Sequence, residues 1–402
     1  MFAFKRHFFM VIQCTVLGLC VFSQEPRSIL NSYERNFLRA SLADKVEILN
    51  DAATDDAAGE FIGALYDFAL RFCLDNAELL RDDPDMISLV TAAARGLGAA
   101  AYAPAGETLW QVFSSYRNNA TRIAVLGCFS AMGRDNNQAA GRIGQFLAEQ
   151  NRLSKAGTPP DYLLLRALVF SLGKTGGGES YPVLFQTMLI PYREDIGIEE
   201  AFFSIPGDLR SFLRNLIHNG STEEKTAALR LAVRGGRLES PVFSDEELGE
   251  FAERGLQAGL ALDSAGGTGG RELRNLSIDT IRRVKRTRAY PLVSRHFYLV
   301  ENAYGGDPDF KKDYLGVIEC LAAMESPQAA QALYLQLGNY NSKMRQNPHG
   351  TSVDVPVLIA LIEALGELGD KSAFDYLNYA LFLSYPESVH AAARAAIERL
   401  KR

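Results

Sequence analysis

Gly173-Lys174-Thr175 ends like a phosphate-binding loop. Phosphate cradling needs a glycine five residues before the last one, and a strand leading into the loop. Leu168 stands at the glycine position and the run before it is helical, so no cradle is expected. The segment 263–270, DSAGGTGG, is glycine-rich but has no strand–turn–helix setting and reads as a flexible loop. His218, His296, His349 and His390 never pair at i+3 or i+4, and HExxH, CxxC and GxSxG are absent. Each histidine reads as a surface or capping residue. Cys73, Cys128 and Cys320 are widely spaced in apolar helical runs, which suits buried inert thiols better than a disulfide framework or a metal knuckle. Asp82-Asp83-Pro84-Asp85 lacks the DxDxDG order of a cation loop and reads as helix-capping carboxylates. The sequence therefore predicts no catalytic set, no metal and no cofactor.

One charge feature does stand out. Arg271, Arg274, Arg282, Arg283, Lys285, Arg286, Arg288 and Arg295 lie between 271 and 296, opposed only by Glu272 and Asp279, a net +6. The preceding stretch 239–254 has six acids against one arginine, a net −5. Arg282 and Arg286 are spaced as i, i+4 neighbours, and Arg271, Arg274 and Arg282 fall on roughly one side of a helix. Two readings follow: a solvated face partly neutralised by the acidic stretch, or a basic stripe for an anionic or acidic partner. Tyr290, His296, Phe297, Tyr298 and Tyr304 follow the arginines, and Tyr334, Tyr340, Tyr376, Tyr379 and Tyr385 come later. Most read as core at helical spacing, while an exposed one beside arginine would suit a protein contact. The expected partner-binding residues are Arg271, Arg274, Arg282, Arg283, Arg286, Arg288, Arg295 and Tyr298. Reversing Arg282 and Arg286 together is expected to weaken capture without lowering helicity.

The elements that must position these residues repeat. The stretch 357–369 reads VLIALIEALGELG, with Leu358, Leu361, Ile362, Leu365 and Leu368 on one helical face. Gly369-Asp370 breaks it, and second and third helices follow, the third starting at Pro386. A helix, a break and a second helix recur at 122–148, 163–189, 317–337 and 89–116. The expected breaks at Gly98, Gly133, Gly173, Glu325 and Gly369 give neighbouring intervals of 35, 40 and 44 residues. Weaker copies lie at 226–235 and 276–287. Period-2 runs and Asn-Gly or Asp-Gly turns are nearly absent.

A two-helix unit of about 40 residues falls in the HEAT/armadillo range. Ala364-Leu365-Gly366-Glu367-Leu368-Gly369-Asp370 and the closing run Val389-His390-Ala391-Ala392-Ala393-Arg394-Ala395-Ala396-Ile397 carry the likeness. The chain resembles a HEAT-repeat protein, most clearly over 120–190 and 354–402. That resemblance implies an all-α fold, an α-solenoid of about eight or nine stacked helical hairpins over 24–402, with an irregular inserted region at 190–275. A single pair cannot bury its apolar face alone, whereas stacked pairs share one core. A compact helical bundle is the structural alternative.

The 402 residues carry 42 Lys+Arg and 48 Asp+Glu, a net −6, with 47% hydrophobic residues. This composition excludes a collagen-like rod, a disordered chain and a multi-span membrane protein. Mild acidity gives no drive toward nucleic acid. Lys5, Arg6 and His7 precede the mostly apolar 8–22, and Val21 and Ser23 sit at −3 and −1 before Gln24. Residues 1–23 read as a secretory signal, whose removal takes the charge from −6 to −8. An uncleaved anchor or lipidation at Cys20 would attach the chain to a membrane instead. No later stretch approaches 18 uninterrupted apolar residues. The expected function is an exported, periplasmic or secreted, non-enzymatic scaffold of the cell envelope with a protein partner. An anionic envelope ligand on 271–296 is the alternative, and an enzyme resembling HEAT-like lyases is a remote third.

Overall fold

The structure, a computed structural model, describes residues 25–55, 59, 61–135, 137–264, 270–347 and 354–401. The expected signal at 1–23, Cys20, the cut before Gln24 and His349 lie outside the described residues, as does 265–269 of the glycine-rich loop. Among the described residues every regular element is helical. None of these helices is long and apolar enough to cross a membrane. Contacts divide the chain into two compact units, one ending at Leu209 and one starting at Arg210.

The first unit holds α1 (Glu25–Arg39), α2 (Leu42–Thr54), α3 (Ile62–Asp75), α4 (Ala77–Leu80), α5 (Pro84–Ala100), α6 (Gly106–Ser115), α7 (Asn119–Met132), α8 (Asn137–Lys155), α9 (Tyr162–Thr175), α10 (Tyr181–Met188) and α11 (Ile198–Ser204). Alternate helices pack on one another: α3 on α5, α5 on α7, α7 on α9, and α9 on α11. The helices between them fill the other side, α6 against α7 and α8 against α9 and α10.

From the boundary onward come α12 (Leu209–Asn219), α13 (Thr222–Gly235), α14 (Asp245–Ser264), α15 (Arg271–Arg283), α16 (Tyr290–Gly306), α17 (Lys311–Ala323), α18 (Pro327–Gln346), α19 (Val355–Leu368), α20 (Phe374–Ala380) and α21 (Glu387–Leu400). In the second unit one row runs α13, α15, α17, α19, α21 and a second runs α14, α16, α18, α20, each helix packing on the next in its row.

Local chemistry explains the boundaries. Asp83 caps α5 by accepting from the Asp85 and Met86 N–H groups, with Pro84 in the first turn. Gly133 and Gly369 end α7 and α19 at φ +65° and +68°, where a side chain would be strained. Glu325 ends its helix at φ +49°. Gly98 and Gly173, by contrast, do not break their helices: α5 continues to Ala100 and α9 to Thr175. Their role is close packing. A Cβ at Gly98 would lie 3.2 Å from Cα of Cys128, and one at Gly173 would lie 3.1 Å from Cα of Ala201. Gly366 makes the same approach to Cα of Ala396, at 2.9 Å. Each time a glycine late in one helix admits the backbone of the next helix in its row.

A second recurring device joins consecutive helices. Ser41, Asn118 and Ser221 cap α2, α7 and α13, and four residues on stands a cation that reaches back to the preceding helix. Lys45 Nζ donates to the carbonyls of Phe37 and Ala40, at 2.5 and 2.6 Å. Lys225 Nζ donates to those of His218 and Gly220. Arg122 Nε donates to that of Phe113. These cations satisfy orphan carbonyls at helix C-termini.

Several side-chain bonds across the packed pairs span 42 to 44 residues. Tyr116 Oη donates to the Cys73 carbonyl at 2.9 Å, 43 residues away. Asn119 donates to Asp161, 42 residues away, and Tyr385 donates to Asn341, 44 residues away. Arg271 and Asp313, again 42 residues apart, form an ion pair at 2.6 Å.

Candidate functional site

The eight expected residues fall into three groups in the second unit, one of them buried. The cause is the end of α15. The helix stops at Arg283, and Lys285 turns the chain at φ +49° before α16 begins. Arg282 and Arg286 are therefore not neighbours on one helix face, which corrects the i, i+4 expectation.

Arg271 and Arg282 lie on the side of α15 that faces α17. Arg271 Nε donates to Asp313 Oδ2 at 2.6 Å, and its guanidinium lies 4.1 Å from the Phe310 ring centroid. The Asp313 hydrogen bond holds the Arg271 guanidinium above its ordinary pKa. Asn275 donates to the other oxygen of Asp313. Arg282 is paired with Glu319 and with Asp279. These side chains line a groove between α15 and α17 whose cations, Arg271, Arg282 and Lys312, face Glu272, Asp279, Asp313 and Glu319. Glu272 in turn pairs with Arg230 of α13. The groove has mixed charge and is not a basic stripe.

Arg274 and Arg286 are buried, 3% and 6% exposed, which corrects their placement on a partner-facing surface. They pack against α14, where glycines make room for them. A Cβ at Gly259 would lie 2.6 Å from Cγ of Arg274, and one at Gly249 would lie 2.4 Å from Cδ of Arg286. Gly255 does the same for Ser277 Oγ, at 2.6 Å. Arg286 reaches Glu246 Oε2 at 2.5 Å and Glu253 Oε1 at 3.1 Å. Arg274 Nη1 donates to the Gly259 carbonyl. Burying an arginine this deeply requires such partners.

Arg288, Arg295 and Tyr298 are exposed. Arg288 shares Glu246 and Glu253 with Arg286, at 3.3 Å each. Tyr298 is 43% exposed and meets Phe297 edge-on. Arg283 is exposed at the end of α15; partial burial of its head and the nearby Arg237 lower its pKa. Lys285 pairs with Glu325. The acidic stretch at 239–254 thus neutralises Arg286 and Arg288 of the turn, and carboxylates of α17 neutralise Arg271 and Arg282 of α15.

His296 departs from the surface or capping role expected of it. It is 1% exposed on α16 and spaced with Val293, Phe297 and Val300, all buried. Burial, assisted by the Arg274 charge, pushes its pKa down to about 3, so the imidazole stays neutral. His390 behaves as a cap, with Nε2 3.0 Å from the Leu383 carbonyl. Cys73, Cys128 and Cys320 are buried, and burial pushes each thiol up to about 12. Among the described residues no cluster of three His, Cys, Asp or Glu could hold a metal.

Sequence reasoning missed a polar cluster around α16–α19. Tyr304 donates to Asp354 at 2.6 Å, Lys311 pairs with the same carboxylate, and Gln336 donates to Glu301. Burial raises the Asp354 pKa, but the Lys311, Tyr304 and Val357 hydrogen bonds outweigh it and the net shift is downward. These tyrosines were legible only as an aromatic run. Also unforeseen is an aromatic groove in the first unit, floored by Tyr162 and Tyr192. A scan against protein-family models finds no match for the chain, and comparison with curated proteins finds no significant relative.

Proposed function

We propose that the protein is an exported, non-enzymatic scaffold of the cell envelope, built as a HEAT-like α-solenoid that captures a protein partner. The observation that carries the architecture is the spacing of side-chain bonds between packed helices. Bonds at 42, 43 and 44 residues occur in both units, alongside others at 35 and 50, and fit a two-helix repeat of about 40 residues. The row-wise packing of alternate helices supports the same reading. Export rests on the basic and apolar pattern of residues 5–23.

Capture is assigned to Arg295 and Tyr298, exposed members of the predicted set one turn apart on α16. A large amphipathic ring one helical turn from a guanidinium is the side-chain combination that dominates interface hot spots. The anionic-ligand alternative draws less support, because Arg271, Arg282, Lys285, Arg286 and Arg288 already have carboxylate partners in the chain. The lyase alternative would need an accessible, acidified thiol, and the three thiols are buried with raised pKa values. The test is affinity capture from an envelope extract with Tyr298→Ala plus Arg295→Glu. Loss of discrete co-purifying proteins at unchanged helicity supports the assignment, and undiminished capture overturns it.

A further inference from the structure

The groove in the first unit is built from two turns that the proposed scaffold function does not use. The turn after α8 brings Pro159 and Pro160, and the turn after α10 brings Leu189, Ile190 and Pro191. Between them Tyr162 and Tyr192 meet edge to face, with centroids 6.2 Å apart. The groove has a volume of about 670 Å³ and is open to solvent, within the size range of sites that take defined ligands.

Three properties define what it accepts. First, its floor is fixed. Tyr192 Oη donates to Asn151 Oδ1 at 3.2 Å, with Ser154 Oγ at 3.4 Å. Asn151 is 5% exposed and donates in turn to Thr187 Oγ1 at 2.8 Å. Tyr162 Oη accepts the Arg193 N–H at 3.2 Å. Both phenol oxygens are bonded within the protein, and the tyrosine and proline rings line the groove.

Second, the hydroxyls of Tyr162, Tyr192 and Ser154 are already bonded within the protein. A sugar chain brings many hydroxyls that would each need a partner. A proline-containing peptide brings no N–H at its prolines and arrives already extended, with little ordering entropy left to lose. Aromatic- and proline-lined grooves recognise that conformation.

Third, its charge has one sign. Lys155 and Arg193 line it, no carboxylate does, and neither cation is ion-paired among the described residues. The groove between α15 and α17 is different, since its cations are matched by carboxylates. Unmatched cations beside an apolar floor complement a chain with acids next to its prolines.

We propose that this groove is a docking site for an extended, proline-containing peptide segment that carries acidic residues beside its prolines. The site is independent of the face assigned to Tyr298, and its failure would leave that assignment standing.

The test is fluorescence anisotropy with the full chain and a labelled six-proline peptide bearing two glutamates at one end. The comparison probes are the same peptide bearing two lysines, and an oligogalacturonate as an acidic sugar chain. Saturable binding of the glutamate peptide, at least tenfold tighter than the lysine peptide, is expected. Lys155→Glu plus Arg193→Glu, both exposed, is expected to reverse that preference. Tyr162→Ala is expected to weaken binding at least tenfold, and Tyr192→Phe, which keeps the ring, to retain it. No saturable binding, equal binding of both peptides, or binding of the oligogalacturonate in preference to the peptide would overturn the proposal.

Discussion

Arg286 and Glu253 pair at 3.1 Å across the packing of the 284–289 turn against α14, their side chains only 4% and 19% exposed. This contact separates structure from recognition in the basic segment. An arginine that appears from sequence to belong to a binding stripe instead fastens a turn to the helix before it. Arg286→Ala is expected to cost about 3 kcal/mol, because it empties a packed site and leaves the partly buried Glu253 with only the exposed Arg288. Arg282→Glu, in a solvated pair, is expected to cost no more than about 1 kcal/mol. Urea denaturation of the two variants checks the contrast. Reversing both charges together would report unfolding at Arg286 and so cannot serve as a binding test.

The glycines of α14 should be as sensitive as the arginines they admit. Gly259 faces both Cγ of Arg274 and, at 3.1 Å, the Gly270 carbonyl. Gly259→Ala should therefore destabilise by about 1–3 kcal/mol, the usual range for overpacking, despite the better helix propensity of alanine. Gly141, whose Cβ would meet nothing within 4 Å, should tolerate alanine or gain slightly. Thermal melts of the two variants decide this.

His296 ties stability to pH. Its folded pKa is near 3, below the ordinary value of 6.5, so the unfolded chain binds the extra proton between those values. Its contribution is fully present above pH 6.5 and is lost as pH falls toward 3, at about 1.4 kcal/mol per pH unit. His296→Leu should flatten the stability profile between pH 5 and 6.5, where carboxylates titrate less. A slope equal to that of the parent would show that the histidine is solvated.

Lys45 closes the junction between α1 and α2 with two short bonds to carbonyls, and its ammonium lies 4.9 Å from the Phe37 and Phe72 ring centroids. Lys45→Met keeps the stem but leaves the Phe37 and Ala40 carbonyls without this donor. About 1–3 kcal/mol of local stability should be lost, seen as faster amide exchange in α1 with little change at α7.

Much of the helical order was legible from residues alone. Apolar periodicity located the helices, Asp83-Pro84 marked a start, and Gly133, Glu325 and Gly369 marked ends. Gly98 and Gly173 were misread as breaks, because the same residue also serves where two backbones approach. The candidate site was less legible. A charge in a sequence reads as surface, and nothing local shows that Arg274 and Arg286 are buried. A signal was present in α14, whose interior glycines Gly249, Gly255 and Gly259 cost helix stability and so imply a close neighbour. Likewise the spacing of His296 with Val293, Phe297 and Val300 marked a core face.

The central claim is that the exposed face of α16 carrying Arg295 and Tyr298 meets a protein partner. Photo-crosslinking in cells, with a benzoylphenylalanine placed at Tyr298 and at Arg295 in turn, tests it most directly, with sequencing of the N-terminus of the adduct. The account predicts discrete crosslinked envelope proteins at both positions and a chain beginning at Gln24. Absence of any protein adduct at both positions, from a folded chain at normal abundance, would contradict it.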